Sequence, residues 1–397
     1  MVCERHREFL KCTLFAGILL SFPSNLHNEP GPEWVRHVIA EGFPTQTVVP
    51  GDFTGSGHLD VITGDITPGH ERTILYAAPD WTPVVLYTGI RTIYGVAMDV
   101  DGDGRADLVA SRYHPGLIYW LERPKDPIHD KWACHVVDDS AREGPDKGID
   151  GIHGLWAGDV DGDGRIDLVA SAGQPKGAFP DSLAWFRIPS DPRGAKQWER
   201  NILAHRDAPG LSHYIGFGDV NGDGKPDVAS AAKDSPGGNW FAWWEQGADP
   251  RKPWTKHLIA DHQTNATNIL IADLNGDGKA DFVASRGHGA GITWYQAPNW
   301  IPHEISRDIK GPHSLAVGDI NGDGKPDVVT VAKDSRIAAW FENDGAGNFK
   351  EHRIGDNQSA YDIRLVDMDG DGDLDILVAG FESNNVVWFE NRVATRR

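Results

Sequence analysis

A nine-residue acidic loop recurs seven times along this chain, and it constrains the fold more than any other feature of the sequence. Each copy opens on an aspartate that follows a short apolar run, and each leads into a second apolar run of strand-forming residues. Equivalent aspartates lie 46 to 60 residues apart, a period typical of propeller blades. The opening aspartates are Asp52, Asp99, Asp159, Asp219, Asp273, Asp319 and Asp367.

The loop has the chemistry of a site for a hard cation. In the third copy, carboxylates stand at the first, third, fifth and ninth places, and glycines between them allow so short a segment to curl. Six copies keep this pattern, which predicts up to six structural Ca²⁺ sites. The predicted ligands are Asp99, Asp101, Asp103 and Asp107; Asp159, Asp161, Asp163 and Asp167; Asp219, Asn221, Asp223 and Asp227; Asp273, Asn275, Asp277 and Asp281; Asp319, Asn321, Asp323 and Asp327; and Asp367, Asp369, Asp371 and Asp375.

Two other interpretations of the loop compete with a calcium site. An EF-hand requires a bidentate Glu at the twelfth place and flanking helices, whereas the flanks here are β-branched strand formers. A turn held only by side-chain hydrogen bonds is the alternative to a metal site. It is the preferred interpretation of the first copy, where Thr54 and Ser56 replace two charged ligands.

Each period contains four strand-like segments, and the third of them carries a recurring aromatic pair. The segment from Trp34 to Ile39 has the pattern of a fourth strand but precedes the first loop, while the last period stops after its third strand. An N-terminal strand that completes the last blade explains both facts and leaves no open edge. The fold class predicted is therefore an all-β, seven-bladed β-propeller of four-stranded blades.

The acidic loops, the strand pattern and the Trp-Phe-Glu-Asn endings at 340–343 and 388–391 resemble FG-GAP/VCBS repeats, the family that includes integrin α-subunit propellers. The resemblance covers residues 31–393 and implies the propeller fold and calcium binding. It leaves activity open, since the family includes adhesion modules, polysaccharide lyases and sugar dehydratases. Function must therefore be argued from the site.

The first 30 residues do not share the repeat. Arg5, Arg7 and Lys11 precede an apolar stretch, residues 12–22, that suits a signal-peptide core and is too short to span a bilayer. Residues 1–24 are thus predicted to be a signal peptide, and the protein to be secreted, periplasmic or extracellular, with no transmembrane segment. The net charge of −20 and the lack of a basic stripe argue against nucleic acid as a partner.

Candidate site residues follow from the geometry of a blade. Residues six places before each opening aspartate are expected near the axis on the face opposite the acidic loops, and residues after the second strand reach the same face. Three of the seven such places are histidines, at His153, His213 and His313, and a fourth is Tyr361. After the second strands come Arg112, His114, Gln174, Lys233, Arg286, His288 and Lys333.

These residues permit two classes of function. In the favoured one, the protein is a carbon–oxygen lyase or sugar dehydratase that performs β-elimination on a carbohydrate. Arg112, Arg286 or a second divalent metal at the axis would stabilise an enolate. The base would be His153, His213 or His313, and Tyr361 the acid. Substrate contacts are predicted for His114, Lys233, His288, Lys333 and Gln174.

The alternative is a non-catalytic propeller that binds glycans or protein partners on the same face, as an adhesion module does. Uneven connections between the second and third strands favour the enzyme slightly, because one-sided walls form a cleft suited to a small substrate. Five further histidines follow the fourth-strand aromatic by a fixed three places, which predicts a role in the scaffold. They are His37, His135, His257, His303 and His352.

Overall fold

The computed structural model describes residues 33–144, 147–171, 179–234 and 237–393. Within these ranges, 28 strands form seven four-stranded antiparallel sheets, which confirms the prediction of a seven-bladed propeller. The signal peptide predicted over residues 1–24 lies outside the described residues. No helix in the ranges described is long and apolar enough to cross a membrane.

The first six blades follow the order of the chain, each running from the axis outward. The last blade is the exception, because β1 (Trp34–Glu41) supplies its outer strand. Blade one contains β2 (Val48–Gly51), β3 (Asp60–Asp65), β4 (Arg72–Ala77) and β5 (Thr82–Thr88); blade two β6 (Tyr94–Met98), β7 (Asp107–Arg112), β8 (Leu117–Glu122) and β9 (Ala133–Asp139); blade three β10 (Leu155–Gly158), β11 (Asp167–Ser171), β12 (Leu183–Arg187) and β13 (Glu199–Ala204); and blade four β14 (Leu211–Gly218), β15 (Asp227–Lys233), β16 (Trp240–Glu245) and β17 (Thr255–Ala260).

The last three blades close the ring. Strand β1 pairs antiparallel with β28 over the register Trp34↔Asn391 to Glu41↔Asn385, so the first strand of the chain completes the last blade as predicted. Blade five contains β18 (Asn268–Ala272), β19 (Asp281–Ser285), β20 (Ala290–Gln296) and β21 (Ile301–Lys310); blade six β22 (Pro312–Gly318), β23 (Asp327–Ala332), β24 (Ile337–Asn343) and β25 (Phe349–Asp356); and blade seven β26 (Asp362–Val366), β27 (Asp375–Gly380) and β28 (Asn385–Asn391).

The core lies between blades rather than at the axis. Each buried cluster combines apolar side chains from two neighbouring blades, with Tyr214 of blade four added to the cluster of blades two and three, so every sheet face is covered by the next sheet. The recurring tryptophans belong to these clusters; Trp120, Trp185 and Trp340 are almost completely buried. Since every blade contributes to two clusters, loss of one blade would expose two apolar faces.

The five regularly spaced histidines lie on the outer strands. Each stacks on a third-strand tryptophan, with ring centroids 4.2 to 4.5 Å apart. Each also hydrogen-bonds a Glu or Gln of the neighbouring strand, as His352 does with Glu342 at 2.8 Å. These contacts tie the fourth strand to the third and lie away from the axial pocket.

Candidate functional site

A pocket of about 210 Å³ lies on the propeller axis. Each blade has one position six residues before the opening aspartate of its acidic loop. Six of these seven positions line the pocket, and the seventh, Thr267, is fully buried. Tyr113, Leu211, Tyr214, Lys233 and His288 complete the wall. The six places are Gln46, Ile93, His153, His213, His313 and Tyr361.

Local irregularities in the inner strands present the histidines to the pocket. Strand β14 has a bulge between Ser212 and Ile215, where it advances by three residues while its partner β15 advances by two. Strand β22 has a similar bulge at His313. A bulge places one extra residue on its strand and re-aims the side chains there. Both histidines therefore escape the in-and-out alternation of a regular strand.

Two glycines allow the histidine-bearing segments to approach one another. A Cβ on Gly287 would lie 2.7 Å from the Cα of His313, and a Cβ on Gly154 would lie 2.7 Å from the carbonyl oxygen of His213. Such distances exclude any side chain at either position. Glycine thus brings the turn that carries His288 against blade six, and the segment that carries His153 against blade four.

Four imidazole rings form one contiguous cluster. The ring of His153 stacks on that of His213, with centroids 4.3 Å apart and an angle of 8° between the planes. The rings of His213, His288 and His313 meet edge to face at centroid distances of 5.0 to 6.1 Å. One ring nitrogen from each of these three lies within 4.8 Å of the others, a spacing that suits a shared metal ion.

Hydrogen bonds fix which nitrogens of this cluster remain available. Nδ1 of His213 donates to the carbonyl oxygen of Leu211 at 2.9 Å. Nδ1 of His313 lies 3.2 Å from the carbonyl oxygen of Tyr361 and 3.1 Å from the hydroxyl oxygen of Tyr214. Because a carbonyl only accepts, Nδ1 carries the proton in both rings, which leaves each Nε2 with a free lone pair. Nε2 of His288 is buried and has no partner among the described residues.

The electrostatics of the pocket keep these rings neutral. Burial lowers the pKa of His288 to about 4, helped by the positive charges of Lys233 and Lys333. Burial lowers the pKa of His153 to about 3, with smaller contributions from neighbouring histidines, and holds the pKa of His213 and His313 well below the usual range. A neutral imidazole is the form that binds a metal or accepts a proton.

Two tyrosines extend the wall as proton donors. Tyr361 stacks on His313 with ring centroids 4.1 Å apart, and burial raises its pKa. Tyr113 lies against His153 at 4.7 Å, and burial together with Asp150 raises its pKa to about 12. Both hydroxyls therefore stay protonated at neutral pH.

The sequence did not single out Tyr113 or Tyr214. Tyr214 follows His213 directly, and only the bulge in β14 explains how both line the pocket. Tyr214 is buried, and its hydroxyl donates to the carbonyl oxygen of Tyr361 at 2.8 Å, so it links blades four and seven. Each of these tyrosines is adjacent in sequence to a candidate histidine, and this was the signal that could have found it. In a regular strand, however, adjacent side chains point to opposite faces, so the sequence did not predict that the tyrosine lines the same pocket.

The remaining predicted residues take other positions. Lys233 lines the pocket, and its ammonium group pairs with the carboxylate of Asp234 at 3.0 Å. His114 lies outside that lining, 71% exposed, and pairs with Asp150. Three more lie outside it: Arg112 donates to the carbonyl oxygen of Pro115, Arg286 to Gln263, and Lys333 to Asp334. Gln174 lies outside the described residues.

The acidic loops share one backbone conformation. In the second copy, Asp99 accepts hydrogen bonds from the backbone N–H groups of Gly102, Asp103 and Gly104, and the carboxylate of Asp107 accepts from Val100 and Arg123. The first copy repeats the arrangement, since Asp52 accepts from Ser56 and Gly57. In both copies, side-chain oxygens of the loop thus accept hydrogen bonds from its own backbone N–H groups.

Carboxylates nevertheless converge in three of the loops. Oxygens of Asp99, Asp101 and Asp107 lie within 4.8 Å of one another, and the equivalent three carboxylates converge in the third loop. In the seventh loop the converging carboxylates are those of the first, third and fifth places, Asp367, Asp369 and Asp371. Burial raises the pKa of Asp107, Asp167 and Asp375 to about 7, and neighbouring loop aspartates add to this effect. Clustered oxygens of this kind are the ligand set that a hard divalent cation prefers.

Comparison with known proteins agrees with the architecture. The model of the FG-GAP-like repeat matches residues 159–230, 219–284 and 319–378. Together with the seven blades, these matches define the class: the chain is a seven-bladed β-propeller with FG-GAP-like repeats over the matched residues.

Among curated proteins, the chain is similar to aldos-2-ulose dehydratase of Phanerodontia chrysosporium, with 24% identity over 267 residues. The alignment covers 58% of this chain and 27% of the dehydratase, so the chain spans about a quarter of the length of that relative.

Two solved structures share the fold. A lectin of Agrocybe aegerita that recognises non-reducing terminal N-acetylglucosamine is 16% identical, with a TM-score of 0.54 and coverage of 89% of this chain and 86% of the lectin chain. BBS1N, solved in complex with ARL6DN, is 8% identical, with a TM-score of 0.61 and coverage of 90% and 97%. At these identities the likeness concerns the fold alone.

Proposed function

We propose that the axial pocket is a metal-assisted active site that acts on a carbohydrate by β-elimination. The observation that carries this proposal is the convergence of His213, His288 and His313, whose ring nitrogens lie within 4.8 Å of one another. Three imidazoles with an open fourth position are the ligand set of catalytic zinc, and imidazole suits zinc among the available metals. The buried, unpartnered Nε2 of His288 fits this role, because a metal would satisfy it.

Carbohydrate as the substrate class rests on two supports. The curated relative is a dehydratase whose name states an aldos-2-ulose as substrate, a sugar with neighbouring carbonyl carbons. The pocket, at about 210 Å³, is smaller than a typical drug-sized site and suits a single sugar ring better than a polysaccharide chain. We therefore favour a keto-sugar dehydratase over a polysaccharide lyase.

Different residues of the pocket have different roles in the proposed elimination. A bound zinc ion would supply Lewis-acid polarisation of a carbonyl oxygen. His153, neutral and outside the metal-binding trio, accepts the proton from the carbon next to that carbonyl; the negative charge that develops on the sugar offsets the cost of a buried imidazolium. Tyr361 or Tyr113, both protonated, donates a proton to the departing hydroxyl. Lys233 offers the substrate a cationic hydrogen-bond donor at the wall.

The test combines metal content with turnover. Calcium-saturated protein is titrated with zinc, and then incubated with a panel of keto-sugars and uronates while the ultraviolet absorbance of conjugated enones is followed. We expect one zinc ion per chain and turnover of a keto-sugar. His288→Ala should lose both, and His153→Ala should keep zinc but lose turnover. The matched control is His129→Ala, because His129 is 80% exposed on a loop.

Two outcomes would contradict the proposal. If zinc does not bind, or binds equally well to His288→Ala, the trio is not a metal site. If zinc binds but the panel gives sugar binding without turnover, the alternative applies, namely a glycan-recognition module on the same face.

We also propose that the six complete acidic loops bind calcium as structural ions. The converging carboxylates of the second, third and seventh loops support this proposal. Secretion, as the N-terminal sequence predicts, would place the loops where calcium is abundant enough for sites of modest affinity. Elemental analysis of protein prepared in calcium would count the ions, and fewer than one per chain would contradict it.

A further inference from the structure

A second cavity lies beyond Tyr214, which borders both it and the axial pocket. It measures about 510 Å³, and inner-strand residues of all seven blades line it. Its wall extends to residues one or two places before the opening aspartates of the acidic loops, such as Ala97, Ile271 and Val366, so its mouth is on the loop face. We refer to it as the loop-face channel.

The wall of the loop-face channel is apolar. Val96, Phe217 and Leu270 border it, and each of these side chains is only half-buried although it lies at the centre of the protein. Trp156 and Phe217 form an aromatic pair on one side, with ring centroids 6.4 Å apart. Apolar surface of this kind in a concave site marks a ligand pocket, and the volume falls within the usual range for small-molecule sites.

The closed end of the channel carries one unpaired polar atom, on Asn268, and one paired cation, Arg364. Asn268 is 2% exposed, and its Oδ1 has no hydrogen-bond partner among the described residues. Arg364 donates through Nε and Nη2 to Asp362 and through Nη2 to the carbonyl oxygen of Gly95, and its guanidinium also bonds the side chain of Tyr94. A buried, unpaired amide is costly unless something completes it.

Charge restricts what that partner is. The guanidinium of Arg364 already pairs with the buried carboxylate of Asp362 at 3.0 Å and lies over the ring of Tyr94, so the closed end is close to neutral. Acidic loops surround the mouth, and the chain's net charge of −20 stays negative even when the two positive charges of each Ca²⁺ ion in the six complete loops are added. An anionic ligand would therefore meet repulsion at the entrance and have no unpaired cation inside.

We propose that the loop-face channel binds a neutral apolar alcohol or phenol. A hydroxyl donates a hydrogen bond without carrying a charge, so it satisfies Oδ1 of Asn268 and places no second charge beside the paired Arg364. The carbon skeleton then covers the apolar wall formed by the inner strands. The inference is independent of the proposed catalytic function, because it concerns the opposite side of Tyr214.

Three matched probes test the choice of ligand. Binding of 1-naphthol, naphthalene and 1-naphthoate to the full-length protein is measured by calorimetry and by quenching of tryptophan fluorescence. We expect one binding site for 1-naphthol. Its affinity should be about tenfold higher than that of naphthalene, because one additional satisfied hydrogen bond contributes about that much. The affinity for 1-naphthoate should be lower still. Absence of saturable 1-naphthol binding, or tighter binding of 1-naphthoate, would overturn the proposal.

Variants test the location. Ala316→Phe fills the channel from blade six and should abolish binding of 1-naphthol and naphthalene alike, while Ala133→Phe adds the same ring at an exposed position on an outer strand and should leave binding intact. Asn268→Leu should reduce the preference for 1-naphthol over naphthalene to less than about threefold. Undiminished binding by Ala316→Phe at an unchanged melting temperature would place the probe elsewhere and refute the assignment.

Discussion

The affinity of the axial histidines for zinc should be almost independent of pH between 7.5 and 5. A metal ligand must be unprotonated, so affinity normally falls as histidines take up protons. An ordinary histidine, with a pKa near 6.5, is only about 3% neutral at pH 5. Three such ligands would lose affinity by a factor of about 3 × 10⁴ over this interval.

The pocket changes that magnitude because its rings stay neutral. The pKa of His288 is lowered to about 4 by burial and by Lys233 and Lys333, so this ring remains about nine-tenths neutral at pH 5. The pKa values of His213 and His313 are held well below the usual range by burial. We therefore expect the affinity to fall by less than about twofold down to pH 5 and to decline only near pH 4.

Competition against a chromophoric zinc chelator, calibrated at each pH and in the presence of saturating calcium, measures this profile. His288→Ala should bind zinc at least about tenfold more weakly at every pH, and His129→Ala should match the unmodified protein. A fall of a thousandfold or more between pH 7.5 and 5 would refute the reasoning, because it would mean that the rings titrate as exposed histidines do.

Three further predictions concern the supports of the site and of the ring. Tyr214→Phe should weaken zinc binding by about tenfold, since His313 loses a hydrogen-bond partner that orients it; unchanged affinity would show that Tyr361 suffices. Trp34→Ala should reduce the free energy of unfolding by about 3–5 kcal/mol in chemical denaturation, because Trp34 is buried where the ring closes. Val38→Ala, at a position 42% exposed, is the control. Equal losses of unfolding free energy in the two variants would contradict closure of the ring by β1. EGTA should lower the melting temperature more at pH 8 than at pH 6. The carboxyl groups of Asp107 and its equivalents have a pKa raised to about 7, so without a cation their stabilising protonated form is lost as the pH rises through 7; an equal effect at both pH values would argue against bound calcium.

The fold could be predicted in detail because its information is local. Each blade repeats an apolar run, an acidic loop and an aromatic third strand within 46 to 60 residues, so neighbouring copies support the same interpretation. Strand boundaries were less accurate: the fourth-strand aromatic that precedes His135 by three places is Trp132, and it lies directly before β9 and not within it. Ring closure could be predicted because a fourth-strand pattern precedes the first loop and the last period lacks its own fourth strand.

The position of the candidate site could also be predicted, but its composition could not. Counting six residues back from each loop reached His153, His213, His313 and Tyr361, because strand length sets the distance to the opposite face. Sequence reasoning treated Arg112 and Arg286 as equivalent to these residues. Their guanidinium groups instead bond elsewhere, to Pro115 and Gln263, since residues after the second strand have no fixed distance from the axis.

By itself, the sequence determined the blade count, the acidic loops and the strand that closes the ring, since each depends on a pattern read over a few dozen residues. Tertiary structure alone decided that His213, His288 and His313, which come from three blades, present their nitrogens to one point. It also decided that Tyr214 separates the axial pocket from the loop-face channel. The physical reason is that these contacts depend on ring closure, on bulges in β14 and β22 and on the close approach at Gly287, none of which a local pattern encodes.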